Sequence, residues 1–179
     1  MTKPAHVVVV GGGSLGTLLA AQVGRAIQRQ PATGTRPVTG VTIFSRWRDH
    51  IKAIERQHGV WLHEAVRSGR SIFVHNVATS SSPEQLAQCL SEQPRELIFF
   101  VTAKGLEGAR KAAKDIKDTL TMMGPSCKCK CPPVVVCLMN GLGGPSCQVP
   151  DLALTSAVIF RVLHNRTVGN SIGGAVQEP

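Results

Sequence analysis

Apolar residues along this chain fall into two alternating patterns. Some form short unbroken runs, and others recur every three or four positions over longer stretches. HVVVV (residues 6–10), VTIFS (41–45), ELIFFVTA (96–103) and PVVVCLMN (133–140) are of the first kind, and LTSAVIF (154–160) offers a fifth. Runs this uniformly apolar suit strands that are covered on both faces. Helical spacing governs LGTLLAAQVGRAIQ (15–28), DHIKAIERQ (49–57), SPEQLAQCLSE (82–92) and GLEGARKAAKDIKDTLTMM (105–123). Asp49 is the expected N-cap of the second helix, and Pro83 opens the third as proline often does. RQPATGTRPVTG (29–40) is rich in proline, glycine and threonine and reads as an inserted loop. GVWLHEAVRSGRSIFVHNV (59–77) reads as two extended runs around SGR, a hairpin or a pair of short strands.

Strand, helix, strand, helix with near-continuous apolar strands predict an α/β domain whose mostly parallel sheet is doubly wound, because crossovers between parallel strands are right-handed. The domain is expected to span residues 1–165, with 166–179 as a glycine-rich tail, and no internal repeat is visible. A length of 179 residues is enough for one good core.

Charge and cysteine content narrow the picture. The net charge is +9, but the basic residues are dispersed from Lys3 to Arg166, and aromatics make up only 4% of the chain. A single-strand nucleic-acid platform needs stacking faces, so nucleic acid is the weakest class of partner. The N-terminal apolar run is too short for a signal peptide or a membrane span. Six cysteines without a signal predict a reducing, cytoplasmic setting with free thiols. The spacing of Cys127, Cys129 and Cys131 is not that of a zinc site, and no metal is expected there.

Candidate chemistry begins at the end of the first strand. Gly11, Gly13 and Gly16 form G-x-G-x-x-G between a strand and a helix. In a dinucleotide site the first glycine makes the turn and the second admits a pyrophosphate. The third lets helix and strand approach closely. The helix N-terminus then offers unpaired N–H groups and partial positive charge to the phosphates. At the end of the second strand an NAD site usually carries an acid for the ribose 2′-hydroxyl. VTIFSRWRDH places Ser45, Arg46 and Arg48 there instead, with no acid before Asp49. A guanidinium grips a 2′-phosphate, so NADP(H) is favoured, with Arg46 the better placed of the two arginines.

Two further strand ends carry polar residues, Lys104 after ELIFFVTA and Asn140 after PVVVCLM. Ligands of doubly wound sheets bind beyond the carboxyl ends of the strands. On chemistry alone, a lysine at a strand end is more often solvated than functional, and an Asn-Gly pair is more often only a turn. Taken in order, GGGSLG, FSRWRDHIKAIERQHGVWL, FFVTAKGLEGA and VVVCLMNGLGG resemble the Rossmann-like N-terminal domain of the ketopantoate reductase (2-dehydropantoate 2-reductase) family. The resemblance covers residues 6–144 and loosens beyond.

It implies NADPH-dependent reduction of ketopantoate to pantoate, on the route to pantothenate and coenzyme A. By the same resemblance Gly11, Gly12, Gly13, Ser14, Leu15 and Gly16 hold the pyrophosphate, and Arg46 holds the 2′-phosphate. Lys104 and Asn140 stand near the nicotinamide and the substrate. The family's helical second domain, which supplies a general-acid lysine and a substrate-handling glutamate, finds no counterpart after residue 165. The chain is therefore expected to bind cofactor, to turn over weakly by itself, and to have an uncovered cleft through which it could self-associate as a homodimer. A reductase for another 2-keto acid, or a non-catalytic NADP(H)-binding module, are the alternative readings.

Overall fold

The computed structural model describes residues 4–31, 37–64, 69–91, 96–124, 132–139 and 158–162. Asn140, the Cys127/Cys129/Cys131 cluster, the glycine-rich tail and most of the expected fifth run lie outside the described residues.

The chain alternates as its pattern predicts: β1 (Ala5–Val10), α1 (Ser14–Arg29), β2 (Val38–Phe44), α2 (Arg48–Gln57), β3 (Gly59–Glu64), β4 (Arg70–His75), β5 (Val77–Ser80), α3 (Pro83–Ser91), β6 (Glu96–Val101), α4 (Gly105–Met123), β7 (Val134–Met139) and β8 (Val158–Val162). Six strands form one sheet in the order β5-β2-β1-β6-β7-β8. Every pairing within it is parallel. This is the Rossmann-like doubly wound arrangement. The chain moves outward from β1 to β2 and β5, then crosses back to β6 on the other side of β1. The switch point lies between β1 and β6, where such sheets open a crevice.

The period of two along each strand divides the core. Val8 and Val10 of β1 face one side with Phe44, Phe99 and Val101, under Leu86 and Leu90 of α3 and Ala112 and Ile116 of α4. Val7 and Val9 face the other side with Val41 and Ile43, under Ala20 and Ala21 of α1 and Ile51 and Ile54 of α2. The buried runs are nearly all apolar because neither face meets water, and the polar exceptions His6 and Thr42 share a hydrogen bond of 2.8 Å. At about 25 cal/mol per Å² of apolar surface removed from water, these two clusters are the main source of stability.

Three local details depart from the pattern. β2 starts at Val38 rather than 41, since the Ala5 N–H donates to the Pro37 carbonyl at 2.8 Å and Gly40 pairs with His6 across a shift in register. A polar strand start of this kind gives no apolar signal. Asp49 is not an N-cap. α2 starts at Arg48 after Trp47, and the Trp47 N–H donates to Ser45 Oγ at 3.2 Å. Asp49 sits in the first turn, where its charge still favours the helix dipole. The second extended run of 59–77 is split at Asn76, whose φ of 60° turns the chain out of the antiparallel β3–β4 hairpin and into β5 of the main sheet.

The third helix begins with a reciprocal cap. Ser82 Oγ accepts from the Gln85 N–H at 3.3 Å, and Gln85 Oε1 accepts from the Ser81 N–H at 3.1 Å. No helix among the described residues is long and apolar enough to cross a membrane.

Candidate cofactor site

The crevice between β1 and β6 is built around the glycine turn. The Gly11 N–H donates to Phe44 O at 2.9 Å and the Thr102 N–H to Val10 O at 2.9 Å, so the ends of β1, β2 and β6 are held level. Thr102 Oγ1 then donates to the Gly11 carbonyl at 3.0 Å and fixes the turn from the β6 side. Gly11 has a φ of +122°, which L side chains rarely adopt, and a Cβ there would stand 2.7 Å from Thr102 Oγ1. A Cβ on Gly16 would stand 1.8 Å from the Gly11 carbonyl oxygen, so α1 can approach β1 only with glycine at this position.

Gly13 is different. It is exposed, and its Cβ position has no atom within 4 Å. The fold does not need a glycine there, but a ligand passing close to the backbone does. Gly13 is the N-cap residue of α1, and no acidic residue stands in the helix's first turn. The Gly13 carbonyl is engaged by the Thr17 N–H at 2.9 Å, while exposed Ser14 and Leu15 begin the helix. The N–H groups at this helix start and its uncompensated positive end suit a pyrophosphate. The donor set and the open space at Gly13 therefore fit a dinucleotide.

Ser45 closes β2 and is buried, its N–H donating to Ser80 O at 3.0 Å. Arg46 follows it into solvent, while Arg48 is exposed at the start of α2. Arg46 does not hang free. Its Nη2 donates to Oδ1 of Asp115 on α4 at 2.5 Å, and the side chains are 59% and 5% exposed. The carboxylate's hydrogen bond and charge hold the guanidinium pKa above its already high value, so Arg46 stays charged at any working pH. Gly11, Ser45, Arg46, Ala103, Lys111 and Asp115 line a hollow of about 130 Å³ beside the glycine turn.

Lys104 is exposed at the end of β6 and is the N-cap residue of α4. Among the described residues it has no hydrogen-bond or ion-pair partner. The crevice thus gathers the glycine turn, Arg46 and Lys104 at one end of the sheet. Asn140 follows directly on the last described residue of β7, which pairs with β6, and itself lies outside the described residues.

Sequence reasoning missed Asp115 and Thr102. Asp115 carried a readable signal: a charged residue on the face of α4 that buries Ala112, Ile116 and Thr119. A carboxylate on a buried stripe needs a partner, which the sequence does not name. Thr102 gave none, since a threonine at a strand end is unremarkable.

A second hollow, of about 390 Å³, opens on the other side of the turn between α1, α2 and β3. Trp47, Trp61 and His50 line it. His50 Nε2 shares a hydrogen bond of 3.0 Å with Thr17 Oγ1, and its ring stacks on Trp47 with centroids 5.1 Å apart.

Residues 7–162 match the sequence profile of the family described as Ketopantoate reductase PanE/ApbA. No curated protein sequence matches the chain. The profile spans most of the chain, and the chain belongs to this family. Membership makes it an oxidoreductase-type domain of the kind that binds NAD(P)H, in a family whose substrates are small keto acids.

Proposed function

We propose that this member of the ketopantoate reductase family binds NADP(H) and reduces ketopantoate to pantoate, a cytoplasmic step toward pantothenate and coenzyme A. The observation that carries the cofactor choice is Arg46 at the end of β2, beside the glycine turn and on a strand end that has no acid of its own. The N–H groups of the Gly11–Gly16 turn would hold the pyrophosphate, and Arg46 would hold the 2′-phosphate.

When bound, the reduced nicotinamide supplies a hydride to the keto carbon. This chain's own contribution is charge and position. Lys104 Nζ, with no carboxylate partner among the described residues, would stabilise the negative charge that develops on the substrate oxygen, or hold the substrate carboxylate. Asn140 takes its role from the family's Asn-Gly motif alone. The described residues form one wall of a cleft.

Cofactor fluorescence titration of the full chain tests the reading. NADPH is expected to bind more tightly than NADH, and Arg46→Ala is expected to remove the difference. Equal affinities in the unsubstituted chain would overturn the assignment of Arg46.

A further inference from the structure

The end of β2 carries no acid, yet the fold delivers one there from another element. Asp115 lies on the buried face of α4, 4% exposed, and accepts from Arg46 at the rim of the hollow beside the glycine turn. The other cation of that hollow, Lys111, also has a carboxylate partner, Glu107 at 2.7 Å. The two pairs differ in their freedom. The Lys111 and Glu107 side chains are 61% and 82% exposed, so either can swing into water at little cost. Asp115 has no such escape, because its carboxylate is enclosed by the helix and the strand ends, with Arg46 as its donor.

We propose that Asp115 sets the cofactor selectivity of this site: it is a fixed counter-charge that limits how strongly Arg46 prefers a 2′-phosphate to a 2′-hydroxyl. The inference rests on reading Arg46 as the 2′-phosphate ligand. A dianionic phosphate arriving at Arg46 meets a nearly neutral pair rather than a full positive charge. It also meets the field of a carboxylate that solvent screens poorly. A neutral hydroxyl has no net charge for that field to repel, and the enclosed carboxylate, already accepting from Arg46, is not presented to it as the strand-end acid of an NAD site is. Asp115 therefore penalises NADPH and leaves NADH alone, and the chain's preference for NADPH is narrower than Arg46 by itself would produce.

The test compares dissociation constants for NADPH and NADH, by fluorescence titration, in the full chain and in Asp115→Asn and Arg46→Ala. The amide keeps the acceptor and the shape but removes the charge. Asp115→Asn is expected to tighten NADPH binding about tenfold, and to leave NADH within about twofold. A urea transition near that of the unsubstituted chain confirms that the variant is folded. Asp115→Ser, which also removes the charge, replaces it if the amide variant unfolds. NADPH affinity that is unchanged or weaker in the uncharged variant, while Arg46→Ala still loses NADPH selectively, overturns the counter-charge and makes Asp115 an orienting partner. If Arg46→Ala leaves NADPH affinity untouched, the reading of Arg46 fails first, and this inference with it.

Discussion

The guanidinium of Arg46 and the carboxylate of Asp115 meet at 2.5 Å although 69 positions separate them in the chain. The pair is asymmetric: the arginine is largely in water and the aspartate is almost wholly out of it. Its energetic weight therefore rests on the aspartate. Removing the arginine leaves a buried acceptor without its donor, whereas neutralising the aspartate leaves an exposed cation that water can solvate.

Arg46→Ala is accordingly expected to destabilise the fold by about 1–3 kcal/mol, toward the lower end because water can reach the vacated space. Asp115→Asn is expected to cost less, since the amide oxygen still accepts. Urea midpoints at neutral pH measure both. An Arg46→Ala chain as stable as the original would show that the pair contributes nothing to folding.

Gly13 and Gly16 should separate binding from folding. Gly16→Ala drives a methyl group into the Gly11 carbonyl and is expected to lower the urea midpoint and abolish cofactor binding together. Gly13→Ala meets open space. It is expected to cost at most about 1 kcal/mol, for a poorer N-cap, while weakening NADPH binding by tenfold or more. Unimpaired binding in Gly13→Ala would argue against a pyrophosphate at that backbone.

Lys104 is exposed and has no partner among the described residues, so its removal should leave stability within about 0.5 kcal/mol of the original. If it stabilises charge on the substrate oxygen, Lys104→Ala is expected to lower kcat for keto-acid reduction by about 10²-fold, with NADPH affinity changed far less. Steady-state kinetics beside a cofactor titration distinguish this from a binding role, in which affinity falls and kcat holds.

Cys137 on β7 supplies a pH dependence. Burial pushes its thiol pKa above the ordinary value, so the folded chain holds the proton more tightly than the unfolded chain does. The sign follows by linkage. The stability associated with the neutral thiol is fully present below the unfolded pKa, and is lost as pH rises toward and through the raised folded value. Cys137→Ala should therefore flatten the alkaline limb of a stability–pH curve. Alkylation resolved by peptide mass should modify exposed Cys89 before Cys137 at neutral pH. Equal rates at the two residues would contradict the protection.

Much of this molecule was legible because its signals are local. An unbroken apolar run needs only its own residues to declare a strand buried on both faces, and α4 falls on the residues its spacing marks. The glycine turn was equally plain, since a tight turn, a helix start and a close approach are demands on neighbouring residues. What escaped were boundaries and partners. Val38–Gly40 joins β2 through pairing with β1, Asn76 redirects the chain by a backbone angle, and the turn into α2 is held by Ser45 Oγ accepting from the Trp47 N–H.

By itself the sequence determined the elements, their alternation, and the arginine that ends β2 where an acid is commonly found. Only the tertiary structure decided that an acid stands there after all. Asp115 reaches Arg46 because α4, which follows β6, packs on the same side of the sheet as α3 and turns its buried face toward the end of β2. Periodicity says which face of a helix is buried, but not which residue of another element it will meet. That depends on the order of strands in the sheet, and the charge of this site depends on that order.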